Sequence, residues 1–315
     1  MDIFWLGFMP LTYYINFEAK LGIWLRRNEM VTLFRWMVSF DKELEAARFK
    51  NFESPTNLES RLANFIVKTT ACMNVTFNLV VALIYIVKPT APQYLYSSWS
   101  EVGKPEWMNM TVYLISLAFE VFTKTADIMS YFIMQMWFLL SVAYLIFVMS
   151  TVRKSTNSLP RRFSWYRCLY LINLQHNGCY LATMFPFRYV FMAGSLVSVG
   201  FIMLRLYAEI SFPEQLMTAL MFITFLFTAF FYLHISGKVL KNSGNLREKL
   251  RRLAGVGVWS TKERKLLIKE VKSLQSFGLR VGSIRATSYI ALNAFFSTVA
   301  SGFTTVLVTF PVDEV

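Results

Sequence analysis

The stretch IMSYFIMQMWFLLSVAYLIFVM, at residues Ile128–Met149, decides the fold of this chain. It contains no Asp, Glu, Lys, Arg or His, and no Gly or Pro. An α-helix of this length rises roughly 33 Å at 1.5 Å per residue, and the hydrocarbon core of a bilayer is about 30 Å thick. The stretch therefore predicts a helix that crosses a membrane.

Five other apolar stretches have a similar length: Ile3–Trp24, Phe65–Val87, Tyr189–Tyr207, Gln215–His234 and Ala286–Phe310. The chain as a whole is 55% hydrophobic and 17% aromatic, which is more apolar surface than one soluble core of 315 residues needs. We therefore predict an all-α fold. It is a polytopic membrane helical bundle of about six transmembrane helices, and it forms a single transmembrane domain over residues 1–315.

The positive charges lie between the apolar stretches. Three connecting segments, 25–64, 150–188 and 235–285, hold most of the 32 Lys and Arg residues, whereas the other connections are poor in them. Positive residues are retained on the cytoplasmic side. These segments are therefore predicted to be cytoplasmic and the C-terminus extracellular, in a multi-pass protein of the plasma membrane. The net charge of +13 then reflects topology, and we expect contact with membrane lipid and no nucleic-acid partner.

Two of the predicted cytoplasmic segments carry amphipathic helix patterns. Between Glu29 and Phe49, apolar residues recur every three or four positions, at Leu33, Trp36, Phe40 and Leu44. Further on, Ser260 and Glu263 form a capping-box pattern that is followed by an apolar stripe at Leu267, Val271 and Leu274. Such stripes predict packing against other helices. The alternative is a position on the inner leaflet, which attracts basic amphipathic helices.

The chain is poor in the side chains that catalysis or metal binding needs. Its two histidines are His176 and His234, and the cluster of Cys168, His176 and Cys179 matches no zinc spacing and lacks a fourth ligand. The sequence contains no Gly-rich phosphate loop and no hydrolase or metalloprotease motif. We therefore predict that the protein is not an enzyme and expect no cofactor and no metal site. The cluster is interpreted as polar residues of a cytoplasmic linker.

Ionisable side chains inside the spans would indicate an ion or proton pathway. The candidates lie near helix ends, where long side chains reach the interface as anchors: Lys20, Lys68, Arg188 and Arg205. Arg205 also lies one turn from Glu209. Lys124 and Asp127, before the third span, either pair on one helix face or are two unrelated exposed charges. This pattern argues against a proton-coupled carrier.

The outer halves of the predicted helices are rich in aromatic residues and methionine. Such groups offer a large and adaptable contact surface to a small organic ligand. The candidate lining residues of an apolar ligand pocket are Trp5, Phe8, Tyr85, Tyr131, Phe132, Met134 and Phe222. For each of them, contact with lipid or with a neighbouring helix is the alternative.

The last span combines small and hydroxylated residues with a short apolar end. It reads STVASGFTTVLVTF from Ser297 to Phe310. Small residues allow close packing of helices. A ring of such helices, with Thr hydroxyls beside Val or Leu side chains, would instead form a pore with an apolar gate. Composition alone leaves both interpretations open.

This last span resembles that of the insect gustatory and odorant receptor superfamily. The segment Gly302–Phe310 keeps the aliphatic positions and the terminal aromatic residue of the family's pattern, with Phe303 in place of a Tyr and Thr309 in place of a Gln. Further motifs resemble the approach to the last helix and the segment after the family's second helix: Phe277-Gly278, Gly282-Ser283-Ile284, Thr287-Ser288 and Asp41-Lys42-Glu43-Leu44. The layout is similar too, but the family has seven helices, and the chain is expected to lack the first.

The resemblance implies a function. Members of the superfamily are tetrameric ligand-gated cation channels, so the chain is expected to be a chemosensory receptor subunit that responds to small organic tastants or odorants. It would act in a homo- or hetero-tetramer, alone or with a co-receptor. The implied gate residues are Val306, Leu307, Thr309 and Phe310. The alternatives are a G-protein-coupled receptor, which has an internal C-terminus and an Asp-Arg-Tyr-like triplet, and a small-molecule membrane transporter, which would need intramembrane charges.

Overall fold

The computed structural model of the chain is built from helices. It describes residues 17, 20–22, 24–48, 57–87, 89, 106–180, 184–256, 260–280 and 286–310. Within these ranges eight α-helices have described bounds, together with a short 3₁₀ helix at Tyr207–Glu209 and an isolated bridge between Arg280 and Ala286. Residues 17, 20–22, 24 and 25 are also helical. The helices are α1 (Arg27–Arg48), α2 (Asn57–Val87), α3 (Glu106–Lys154), α4 (Leu159–Tyr180), α5 (Met184–Arg205), α6 (Phe212–Val256), α7 (Thr261–Ser273) and α8 (Tyr289–Thr309). The predicted all-α fold is confirmed.

Helix α3 is one continuous helix of 49 residues. It contains neither Gly nor Pro, so nothing in its sequence breaks the backbone hydrogen-bond ladder. Its length is roughly 73 Å at 1.5 Å per residue, which is more than twice the thickness of a bilayer core. The predicted span 128–149 is therefore part of a helix that continues well beyond the membrane.

Helix α6 also continues far beyond its predicted span. It runs for 45 residues, from the region of the fifth span into the segment 235–285. Pro213 lies in its first turn, where the missing N–H is tolerated. The Glu214 carboxylate accepts hydrogen bonds from the backbone N–H and the hydroxyl of Ser211, at 2.9 and 2.6 Å, and these bonds fix the start of the helix.

Four helical segments of the described residues are long and apolar enough to cross a membrane: Val67–Val87, Met110–Lys154, Phe212–Val256 and Tyr289–Thr309. Helix α5 adds a shorter apolar segment, Tyr189–Arg205. These five segments correspond to the predicted spans from the second to the sixth. The first predicted span, residues 3–24, lies mostly outside the described residues.

An inner cluster of buried apolar side chains joins α1, α3, α4, α6 and α7. Trp165 on α4 is buried in it, and its Nε1 donates to Oε1 of Glu43 on α1 at 2.9 Å. Burial of a large side chain of this kind stabilises a fold by about 1.5–3 kcal/mol. The segments predicted to be cytoplasmic thus form a packed helical body, to which the inner ends of α3 and α6 belong.

The two amphipathic patterns pack into this inner cluster, as predicted. On α1 the buried stripe contains Leu33, Phe40 and Leu44, whereas Trp36 is exposed. On α7 it contains the three predicted residues, Leu267, Val271 and Leu274. The capping box is also present: Ser260 Oγ accepts from the N–H of Glu263 at 3.3 Å, and Glu263 Oε2 accepts from the N–H of Ser260 at 3.0 Å.

An outer cluster joins α2, α3, α5, α6 and α8. Phe295 is the member from α8, and its ring meets that of Tyr189 on α5 edge to face with centroids 4.8 Å apart. Phe191 on α5 contacts Phe225 on α6 in the same way, at 5.5 Å. These aromatic contacts hold the last helix and its neighbours together.

Candidate functional site

A cavity of about 310 Å³ lies between α2, α3 and α6. This volume is near the lower limit for ligand pockets, which are roughly 300–1,000 Å³. Each wall is one helix face, because the lining residues of each helix recur at helical spacing. They are Phe65, Thr69, Thr70 and Met73 from α2, Phe132, Gln135 and Leu139 from α3, and Thr224, Phe227, Thr228 and Phe231 from α6.

The cavity is mainly apolar, with a few polar groups. None of the described residues that line it is ionisable. The hydroxyl of Thr224 donates to Sδ of Met73 at 3.7 Å. The Gln135 side chain is 4% exposed, and neither its Nε2 nor its Oε1 has a hydrogen-bond partner among the described residues. Such a cavity suits a small uncharged molecule.

One of the predicted pocket residues, Phe132, lines this cavity. Tyr131, next to it, is half-buried against the outer cluster. Met134, two residues further on, is buried in the inner cluster. The assignment of Tyr131 and Met134 to a ligand pocket stays a prediction.

The other predicted pocket residues lie apart from the cavity or outside the described chain. Tyr85 is fully buried in the outer cluster, with its ring centroid 5.7 Å from that of Tyr113. Phe222 is half-buried beside the outer cluster. Trp5 and Phe8 lie outside the described residues. Their assignment to a pocket stays a prediction.

Sequence reasoning missed Gln135, although a signal was present. Gln135 is the single Gln in the stretch Ile128–Met149. An isolated amide in an apolar span is costly in lipid and is therefore expected to face the protein interior. The predicted pocket residues are all aromatic residues or methionine, and Gln135 is neither.

Helix α8 is the least covered helix of the candidate spans. The structure describes all its residues, and of these Phe295 alone is buried. Its exposed residues include Asn293, Ser297, Ser301, Thr304 and Thr305, beside apolar ones such as Ile290 and Val308. Two of these hydroxyls bond to the helix's own backbone: Thr304 donates to the Ala300 carbonyl at 3.0 Å and Thr305 to that of Ser301 at 2.9 Å.

The exposed face of α2 differs in chemistry from that of α8. Its exposed residues include Val75, Leu79, Leu83 and Ile86. These aliphatic side chains match hydrocarbon. The exposed face of α8 has a different chemistry, although it is the more exposed of the two helices.

The predicted gate residues are distributed around α8. Val306 and Leu307 are half-buried, and Thr309 and Phe310 are exposed. Val308, which was not among them, is 75% exposed. Two residues correspond to roughly 200° on a helix. Val306 and Val308 therefore lie on opposite sides, and Val308 belongs to the same face as Ser301 and Thr304.

Helix α8 is held at close range to α5. A Cβ added to Gly200 would lie 3.0 Å from Cε2 of Phe303, and one added to Gly302 would lie 3.3 Å from Cγ2 of Val197. These glycines thus allow the two helices to approach closely. Arg205 at the end of α5 donates from Nη2 to the Leu307 carbonyl at 3.3 Å. Its predicted contact with Glu209 is replaced by this hydrogen bond.

The described part of α3 contains a buried ion pair that sequence reasoning missed. Lys124 Nζ lies 3.7 Å from Oε2 of Glu120, one turn away, and both side chains are 9% exposed. Asp127 pairs instead with Lys20. Of the two alternatives left open for Lys124 and Asp127, neither describes the structure fully, because each residue pairs with another partner. Removal of one partner from a buried ion pair is costly, so we interpret the Glu120–Lys124 pair as structural.

The cluster of His176 and two cysteines lies on α4 inside the inner cluster. Burial lowers the pKa of His176 to about 3 and raises the pKa of the Cys179 thiol to about 11. Burial also raises the pKa of the Cys168 thiol. Both thiols are free. Within the described part of the chain, no group of three or more His, Cys, Asp or Glu side chains is placed to hold a metal ion.

Fold and site together define a polytopic helical membrane protein with a small apolar cavity and a last helix that exposes several hydroxyl groups. No family model and no curated protein sequence matches the chain. Among solved structures, it matches the insect olfactory receptor OR5 from Machilis hrabei with a TM-score of 0.62 and 11% identity, over 94% of this chain and 78% of that one. The same receptor in complex with eugenol matches with a TM-score of 0.63 and 11% identity, over 95% and 79%.

This likeness establishes the fold. The chain has the fold of an insect olfactory receptor, and the resemblance to the insect gustatory and odorant receptor superfamily that its sequence predicted is confirmed at that level.

Proposed function

We propose that the chain is a subunit of a chemosensory receptor, a ligand-gated cation channel of the plasma membrane that responds to a small organic molecule. The observation that carries this proposal is the contrast between the exposed faces of α8 and α2. The exposed side chains of α8 include many hydroxyl groups beside apolar ones such as Ile290 and Val308, whereas those of α2 between Val67 and Val87 are mostly aliphatic. When copies of the helix come together, exposed faces that carry hydroxyls are suited to line a water-filled path.

The path would be formed by copies of α8 from several subunits, and the resemblance to the superfamily implies four. Ser301, Thr304 and Val308 share the exposed face and would line it. Val308 lies near the outer end and offers an apolar constriction that closes by dewetting. In the proposed topology Thr309 and Phe310 follow it at the mouth, and the C-terminus is outside the cell.

Helix α6 connects the cavity with α8. It contributes Thr224, Phe227 and Phe231 to the cavity wall, and two turns further on Gly237 contacts Tyr289, the first residue of α8. A ligand that prefers the cavity of the open state shifts the equilibrium toward that state by its difference in affinity. A ligand that displaces α6 would move the start of α8 through the contact between Gly237 and Tyr289, and so open or close the pore.

The test is to record currents from cells that express the chain, alone and with a candidate co-receptor, while panels of tastants and odorants are applied. A ligand-evoked cation current is expected in at least one combination. The absence of current from protein that has reached the plasma membrane, in every combination, would contradict the proposal.

A matched pair of cysteine variants tests the pore, in a background where the exposed Cys72 is changed to Ser. Ser301→Cys lies on the exposed face of α8, and Val299→Cys lies on the face packed against the outer cluster. A charged thiol reagent is expected to reduce the current of Ser301→Cys and to leave that of Val299→Cys unchanged. Equal effects on both would argue that α8 does not line the path.

A further inference from the structure

The Gln135 amide is a feature of the cavity that the proposed function leaves unexplained. Its side chain is 4% exposed and lines the cavity, and both of its polar atoms lack a partner among the described residues. Buried polar groups are almost always hydrogen-bonded, because an unpaired one loses its contacts with water and gains nothing in return. A buried amide with two open positions in a cavity wall therefore points to a partner inside the cavity.

Gln135 has no hydrogen-bond partner although the hydroxyls of Thr69, Thr70 and Thr228 also line the cavity. Phe132 and Leu139 lie one turn to either side of Gln135 on α3, and both are apolar. Across the cavity, the hydroxyl of Thr224 is engaged with the sulfur of Met73. Both polar atoms of the amide are therefore open to a molecule in the cavity.

The charge and size of the cavity restrict that molecule. None of the described lining residues is ionisable, so a charged ligand would be desolvated without a counter-charge. The volume of about 310 Å³ admits only a small molecule. Phenylalanine rings from all three helices favour an apolar or aromatic body.

Resting on the proposed function, we propose that the ligand is a small, uncharged, mainly apolar molecule with one hydroxyl, carbonyl or carboxamide group that pairs with the Gln135 amide. A primary amide offers two N–H donors and a carbonyl acceptor. A hydroxyl or carboxamide on the ligand both donates and accepts, and so satisfies both atoms of Gln135. A pure hydrocarbon of the same shape leaves both unpaired.

Two probes of almost the same shape test this, 4-methylphenol and 1,4-dimethylbenzene. Their dissociation constants are measured on the full chain in lipid nanodiscs, for the wild type and for Gln135→Met, which keeps the side-chain length and removes the amide. The ratio of the two constants is expected to shift about tenfold toward the hydrocarbon in Gln135→Met. An unchanged ratio overturns the proposal, and it is also the result expected if water alone occupies the site.

Two controls show whether the shift is specific to Gln135 and whether its amide has a protein partner. Thr228→Val removes a different polar group of the cavity wall and is expected to leave the ratio as in the wild type. Without ligand, Gln135→Met should unfold at the same temperature as the wild type or higher, because it removes an unpaired buried amide. A marked fall in unfolding temperature would show that the amide has a protein partner, and would overturn the proposal.

The binding measurement separates this proposal from the channel. If the ratio shifts with Gln135 but no combination of subunits conducts, the ligand class stands and the channel function falls. If ligands evoke currents but the ratio is indifferent to Gln135, the channel stands and the ligand class falls.

Discussion

Nε2 of His176 on α4 lies 2.9 Å from Oγ of Ser141 on α3. The Ser141 hydroxyl donates its one hydrogen to the Phe138 carbonyl at 2.8 Å, so the imidazole must be the donor in this contact. The proton of neutral His176 is therefore on Nε2. This bond ties α4 to α3 inside the inner cluster, where the rings of Phe138 and Tyr180 also contact the imidazole.

Acid is expected to destabilise the protein through His176. Its pKa is about 3 in the folded chain and about 6.5 when unfolded, so below pH 6.5 the unfolded state binds a proton that the folded state does not. The free energy of unfolding should fall by about 1.4 kcal/mol for each pH unit between 6.5 and 3, and change little through this group above 6.5. Unfolding temperatures measured from pH 7.5 to 5 check this.

His176→Gln keeps a donor for Ser141 and removes the titration. The variant should lose part of the pH dependence between pH 6.5 and 5. The matched control is His234→Gln, which removes the only other histidine of the chain. If His234→Gln rather than His176→Gln flattens the profile, the dependence does not originate at His176.

The contact between α6 and the start of α8 should be sensitive to one added methyl group. A Cβ on Gly237 would lie 3.1 Å from the backbone nitrogen of Tyr289, which cannot move without shifting α8. Gly237→Ala is therefore expected to cost about 1–3 kcal/mol, as overpacking does. On the same helix, a Cβ on Gly244 meets only Ser276 Oγ at 3.8 Å. Gly244→Ala should stabilise by up to about 1 kcal/mol, and equal effects of the two in thermal unfolding would contradict this packing.

Most of the helices were predictable because the signals that define them are local. Five apolar stretches of about 20 residues predict membrane-spanning helices at α2, α3, α5, α6 and α8, because a strand or a helix of a soluble core does not need so long an apolar run. The start of α7 follows from Ser260 and Glu263, three residues apart, which satisfy each other's backbone groups. The burial of Leu267 and Val271 follows from helical spacing alone.

Helix α4 was not predictable in the same way. The sequence predicted a cytoplasmic linker around His176, yet Asn173 and Asn177 beside it are buried and donate from Nδ2 to the Gly278 carbonyl at 3.2 and 3.0 Å. The side-chain oxygen Oδ1 of Asn177 in turn accepts from the backbone N–H of Arg280 at 3.2 Å. These partners lie more than 100 residues away in sequence. Such hydrogen bonds depend on the tertiary arrangement, which local patterns do not encode.

The candidate site was predictable only in part for a related reason. The cavity depends on the relative shift of α2, α3 and α6 along one another, because that shift decides which turns of each helix meet. Phe132 was found because an aromatic residue in a span is a good pocket candidate. Gln135 lies on the next turn of the same face. The sequence indicates that it faces the protein interior, but only the structure shows that its amide is unpaired.

Removal of the N-cap of α7 should loosen that helix without unfolding the protein. Ser260→Ala deletes the hydroxyl that accepts from the N–H of Glu263, a change that typically costs about 1 kcal/mol. Amide hydrogen exchange in the first turn of α7 should accelerate roughly fivefold. Ser273→Ala, at the exposed far end of the same helix, is the control and should leave exchange in that first turn unchanged. Equal acceleration in both variants would contradict the role of the cap.

Two valines of α8 distinguish the face that lines the proposed pore from the face that holds the helix in place. Val308→Ala shortens an exposed side chain, so it should change single-channel conductance or ion preference while the unfolding temperature stays as in the wild type. Val306→Ala removes methyl groups from the half-buried side and should lower the free energy of unfolding by about 1 kcal/mol with conductance preserved. Recordings and thermal unfolding of both variants, at matched surface expression, check this. If conductance follows Val306 instead, α8 turns its opposite side to the ions, and the gate implied by the sequence resemblance is the better assignment.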